Sequence, residues 1–104
     1  DTEKRRPRLS NVVGGLSGPA IRPVAIKMVW DAAQVLRIPI IGMGGICHAE
    51  DAIEFLLAGA TAVAVGSYTF RQPDAAVQII EGISAYLLRH GFRDVNEIIG
   101  FLRD

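Results

Sequence analysis

Residues 38–67 read IPIIGMGGICHAEDAIEFLLAGATAVAVGS, and this stretch decides the fold. Ile38 to Met43 is a short unbroken apolar run, the pattern of a strand buried on both faces in a parallel sheet. Gly44-Gly45 ends it. His48 to Ala58 then carries Glu50 and Asp51 in a first turn and Gly59 just past the end, which are start and stop signals for a helix. Thr61 to Val65 is a second buried strand, closed by Gly66-Ser67. Strand, glycines, helix, strand, glycines is the grammar of an α/β fold with parallel strands.

The flanks extend the same alternation. Upstream, Gly14, Gly15 and Gly18 mark a turn region, and Pro19 and Pro23 sit where proline suits a helix start. From Pro23 to Leu36 the residues Val24, Met28, Val29, Ala32, Val35 and Leu36 recur at helical spacing, with Trp30 at the margin of the stripe. Downstream, Pro73 opens a helix over Asp74 to His90, with Ala76, Ile79, Ile80, Ile83 and Leu87 on one side and Gly91 as its stop. Gly82 in its middle is unfavourable for a helix and marks a close packing contact. Asp94 to Glu97 has the pattern of a capping box for a terminal helix ending near Leu102. Two strands cannot close a barrel, nor satisfy both edges of a parallel sheet, so the chain reads as part of an α/β domain.

Composition narrows the function. The 104 residues are 50% hydrophobic and 21% charged, with 11 Lys+Arg against 11 Asp+Glu. A balanced charge argues against nucleic-acid or acidic-membrane binding as the main role. The basic run Lys4-Arg5-Arg6-Pro7-Arg8 reads as a solvated loop. A single cysteine, Cys47, excludes an internal disulfide and points to a reducing, cytoplasmic setting, and no targeting or membrane-spanning segment is legible. The chain opens at Asp1 and its methionines, Met28 and Met43, lie inside apolar patterns, which suggests a processed chain or a piece of a longer one.

The chemistry concentrates in two loops, Gly42-Met43-Gly44-Gly45-Ile46 and Gly66-Ser67. Both stand at the carboxyl ends of parallel strands, the ligand-binding edge of α/β folds. Glycine there lets backbone N–H groups approach an anion, and the helix start that follows adds positive partial charge. Two such loops one βα repeat apart form a phosphate cup. A strand can also end in glycine simply to turn the chain. The dinucleotide-binding fingerprint is absent, because its third glycine and its downstream acid are missing. Cys47 reads as a packed or partly exposed thiol and His48 as a helix-entry residue; adjacent in sequence, they make a poor metal site. His90 falls in a last helical turn, where a cation is favoured. Glu50 and Asp51 read as first-turn acids, not as a catalytic pair.

GGLSGPAIRPVAIKMV (Gly14 to Val29), IPIIGMGGI (Ile38 to Ile46) and AEDAIEFLLAGATAVAVGS (Ala49 to Ser67) closely resemble the C-terminal portion of dihydroorotate dehydrogenase, in the catalytic subunit of its NAD-linked, two-subunit bacterial type (class 1B). The resemblance runs over nearly the whole chain. It implies a (β/α)8 barrel with FMN at its C-terminal mouth, oxidising dihydroorotate to orotate in pyrimidine biosynthesis. FMN takes a hydride from the substrate ring while a cysteine base removes a proton. By motif position Gly18 contacts FMN, Gly44 and Gly45 bind its phosphate through backbone N–H groups, and Gly66 and Ser67 complete that site, Ser67 standing where many relatives have threonine. The resemblance also implies a partner subunit with FAD and an iron–sulfur cluster that passes electrons to NAD⁺, within a homo-oligomer or heterotetramer.

The family's cysteine base, its flavin-contacting lysine and its substrate-binding asparagines lie upstream of this segment, and Cys47 is not that base. Residues 1–104 therefore read as a partial barrel, the FMN-phosphate-binding end: the last two βα units with a helix before and a helix after. No catalytic residue and no metal ligand is assigned, and the isolated chain is expected to be inactive. Other readings stay open: another FMN- or phosphate-binding barrel oxidoreductase, such as a dihydropyrimidine dehydrogenase domain, or a non-catalytic truncated remnant.

Overall fold

A computed structural model describes residues 1–102. After an exposed N-terminal segment, a 3-10 turn over Pro19–Ile21 leads into helix α1, Arg22–Val35. Strand β1 (Ile41–Met43), helix α2 (Ala49–Ala58), strand β2 (Ala62–Ala64), helix α3 (Tyr68–Arg71) and helix α4 (Ala75–Arg89) follow, and a second 3-10 turn covers Val95–Glu97. The two strands pair in parallel, with Ile41 opposite Ala62, Gly42 opposite Val63 and Met43 opposite Ala64. The alternation read from the sequence is therefore present.

Helix α2 holds the piece together. Its Ala52, Phe55 and Ala58 pack with Val29 of α1, Ile46 and Ala60 of the loops, and Ile79 of α4. Its other side, Ile53 and Leu56, packs with Ile98 against Leu87, Phe92 and Val95. Phe55, fully buried, lies against the strand: a Cβ on Gly42 would meet its Cδ1 at 2.6 Å, so Gly42 is a packing glycine. Gly82 plays the same part between helices, since a Cβ there would come within 2.3 Å of the Ala49 Cβ. The close contact expected at Gly82 thus joins α4 to α2. Gly59 ends α2 at φ 127°, where its N–H caps the carbonyls of Leu56 and Phe55.

Four expectations change. The strands are covered on one face only: Gly42 faces the helices, while Ile41 and Met43, on the opposite face, are 65% and 61% exposed. In a closed barrel such inward faces fill the interior against each other, and two strands cannot supply that second layer. The buried stripe of α1 is Val29 and Ala33, with Ala25, Ile26 and Trp30 packed beside them; Val24, Met28, Val35 and Leu36 stand exposed. On α4 the buried line runs through Ala75, Ile79 and Ile83, and Ala76 and Ile80 point away. Both helices are apolar on more than one side, so periodicity alone could not choose the face. The terminal helix shrinks to Val95–Glu97 and turns; its capping box forms, with the Asp94 carboxylate accepting from Asn96 N at 2.7 Å and Glu97 Oε2 accepting from Asp94 N at 3.2 Å.

The exposed N-terminal segment and the exposed apolar faces both show in the dimensions. The Cα radius of gyration is 16.4 Å, against about 13 Å for a compact chain of this length. The accessible surface is 7686 Å², against roughly 5,700 Å² for a compact monomer of this mass. Arg5 to Arg8 belong to the exposed N-terminal segment, as a solvated loop should.

Candidate functional site: a cleft between two glycine loops

The carboxyl ends of β1 and β2 lie side by side because the strands pair in register, so the loops that follow them meet. Between them is a cleft of about 280 Å³ whose lining includes Gly18, Gly44, Gly45, Gly66 and Ser67. All five residues singled out from the sequence therefore share one cleft, although Gly18 comes from the turn before α1. Ser17, Met43, Ile46, Cys47, Ala64, Val65 and Tyr68 complete it. A second depression shares Gly18, Cys47, Ser67 and Tyr68 and is bordered by Arg22 and Arg71.

Among the described residues, the backbone N–H groups of Gly45, Ile46, Gly66 and Ser67 donate to no acceptor within the chain. Unspent amides at neighbouring strand ends are groups that an anion can use. The glycines differ in why they are there. Gly66 and Gly18 have nothing within 4 Å of where a Cβ would stand, so their bare backbone borders open space. Gly45 has φ +73°, and its Cβ would meet the Gly18 carbonyl oxygen at 2.6 Å and the Arg22 Cβ at 2.9 Å. Its missing side chain lets three chain segments converge.

The start of α2 departs from the simple helix-terminus picture. Asp51 Oδ2 accepts from both Cys47 N and His48 N at 3.0 Å, so an internal carboxylate already occupies that end of the helix. Asp51 is buried, and its Oδ1 lies 3.0 Å from Nη1 of Arg22. The amides left for an external anion are those of the loop, one residue earlier. Asp51 is thus a capping acid, and Arg22 and Tyr68 are site-bordering residues that sequence reading missed. Tyr68 stands in α3, whose four residues are too few for a periodic signal. Its ring meets His48 edge-on at 5.7 Å. Cys47 is half-buried, and His90 follows α4, tilted against Tyr86 at 4.4 Å. Among the described residues no cluster of three His, Cys, Asp or Glu is placed to hold a metal ion, and no helix is long and apolar enough to cross a membrane.

Comparison with known proteins agrees with this architecture. The family model for dihydroorotate dehydrogenase matches residues 1–87. Among curated relatives, the catalytic subunit of dihydroorotate dehydrogenase B (NAD⁺) from Porphyromonas gingivalis is 64% identical over 102 residues, 98% of this chain and 33% of the relative. The same subunit from Geotalea uraniireducens is 58% identical over 102 residues, again 98% of this chain and 33% of the relative. A crystal structure of dihydroorotate dehydrogenase from Eimeria tenella in complex with ferulenol superposes with a TM-score of 0.81 at 30% identity, covering 96% of this chain and 29% of that one. The chain therefore spans about a third of the length of the curated relatives it matches, and it has the fold of part of a (β/α)8 barrel. With most of its length matched by the family model and its paired βα units superposing on a solved member, the chain belongs to the dihydroorotate dehydrogenase family, a flavin-dependent one.

Proposed function

We propose that residues 1–104 are the FMN-phosphate-binding end of the catalytic subunit of an NAD-linked dihydroorotate dehydrogenase, which oxidises dihydroorotate to orotate in pyrimidine biosynthesis. The observation that carries this reading is a cleft at the ends of two paired strands whose lining includes Gly45, Ile46, Gly66 and Ser67, four residues with backbone amides unspent among the described residues. A phosphate dianion needs several donors and close backbone approach, and both are present. Gly44 and Gly45 shape the first loop. Gly66 offers an amide with no Cβ in front of it, and the exposed Ser67 adds a hydroxyl. Gly18, whose carbonyl oxygen abuts Gly45, is the residue assigned to contact FMN.

When bound, FMN supplies the acceptor for the hydride that leaves dihydroorotate. This segment's residues hold the cofactor's tail and so fix where its ring lies relative to the barrel mouth. They do not remove the proton: Cys47 sits among the phosphate-side amides, and the cysteine base belongs to the part of the enzyme outside this segment. The expected partner is a subunit that would hold FAD and an iron–sulfur cluster and supply the route to NAD⁺, in a homo-oligomer or heterotetramer in the cytoplasm.

The test uses a full-length chain in which this segment replaces the matching third of the Porphyromonas gingivalis catalytic subunit. That chain should carry FMN and form orotate from dihydroorotate with a dye as electron acceptor. Gly66→Val points a side chain into open space, so it should leave folding intact and lower FMN content roughly tenfold or more, each lost charge-assisted contact being worth about that much. A folded, flavin-loaded chain that forms no orotate overturns the assigned reaction. Full FMN retention by Gly66→Val overturns the assigned site.

A further inference from the structure

We infer that Arg22 and Asp51 are a positioning pair for the cofactor phosphate, acting through the backbone of the first glycine loop without touching the ligand. The inference rests on the phosphate reading above and adds two residues that the glycine motifs do not contain.

Asp51 is the one buried charged side chain among the described residues. A buried carboxylate needs a cation and hydrogen-bond donors to be tolerated. It has both, and each reaches toward the cleft. Oδ2 takes the amides of Cys47 and His48, the two residues that follow Gly45 and Ile46 on the same loop. Oδ1 faces Nη1 of Arg22 at 3.0 Å. Arg22 opens α1, directly after the turn that carries Gly18, and its own Cβ and backbone N flank Gly45 at 2.9 and 3.1 Å from the Cβ position. Arg22 also reaches Glu54, with Nε 3.4 Å from Oε2, but that carboxylate is half exposed, so the shorter ion pair with the buried Asp51 is the stronger anchor.

Two consequences follow. Asp51 consumes the Cys47 and His48 amides and so sets the orientation of the peptide units just before them, whose N–H groups remain unspent. Arg22 neutralises a carboxylate that would otherwise stand as a buried anion beside the place of a phosphate. Losing Arg22 therefore harms phosphate binding twice, through loop geometry and through like-charge repulsion.

FMN and riboflavin, which differ only by the phosphate, separate this role from a general effect on folding. Both are titrated by fluorescence quenching into the apo form of the full-length chain described above. Arg22→Met and Asp51→Asn should each weaken FMN binding roughly tenfold and leave riboflavin within about threefold. Arg22→Lys keeps the charge and should recover most of the loss, and Asp51→Asn serves as the measured variant if Arg22→Met does not fold. Arg22→Met combined with Asp51→Asn should bind FMN better than Arg22→Met alone, because the unpaired anion is gone. Equal weakening of both flavins, or no change in either, overturns the inference while leaving the phosphate site standing. An unsubstituted chain with no preference for FMN over riboflavin overturns the phosphate reading itself.

Discussion

Gly45→Val is expected to strip the full-length enzyme of its cofactor. At φ +73° a non-glycine residue is strained by about 1–2 kcal/mol, and a β-branched one by more. The new Cβ would also lie 2.6 Å from the Gly18 carbonyl oxygen and 2.9 Å from the Arg22 Cβ. The first of these is backbone and cannot swing aside, so overpacking adds about 1–3 kcal/mol. The loop relieves this strain by moving, and with it go the Gly45 and Ile46 amides. At 1.4 kcal/mol per factor of ten, FMN affinity should fall by roughly a hundredfold or more. Flavin absorbance per protomer after gel filtration reads this directly. Stoichiometric flavin in a folded Gly45→Val protein would show that the loop is not part of the cofactor site.

The second large effect falls on stability. Phe55→Ala removes a fully buried ring from the cluster in which α1, α2, α4 and the strand ends meet. Phe→Ala in a core costs about 3–5 kcal/mol, a large share of the ~5–15 kcal/mol that stabilises a domain. Gly42, shaped to the ring, has no side chain to fill the void, and Ala60 has only a methyl group. In the full-length chain the urea midpoint should drop with an unchanged slope, and the melting temperature should fall by about 10 °C. A shift below about 2 °C would mean that α2 is not the hub of the core.

How much of this was legible beforehand depends on the range of the interaction that carries it. The order of helices and strands and both glycine loops are local signals, and they were readable. Apolar runs such as Ile38 to Met43 and the Gly44-Gly45 and Gly66-Ser67 breaks carry them, and the register of β1 with β2 then brings the loops together. Facing was less legible. Ile41 and Met43 look as buried as Gly42 in sequence, yet only the helix side of the strand is covered. On α1, Met28 and Val29 are both apolar, and only packing against α2 selects Val29. The contact between Arg22 and Asp51 joins two separate helices, so no window along the chain contains it. Asp51 announced itself as a first-turn acid; that its carboxylate also takes the Cys47 amide and a guanidinium needed the fold. Helix α3 was invisible for a different reason, being a single turn.

The paired glycine loops are proposed to grip a phosphate through backbone amides. Equilibrium titration of the apo full-length chain carrying this segment with FMN and with riboflavin tests it most directly. The arrangement predicts that FMN binds at least roughly a hundredfold more tightly, as several charge-assisted hydrogen bonds require, and that inorganic phosphate competes with it. Equal affinity for the two flavins, with no competition by phosphate, would contradict the claim.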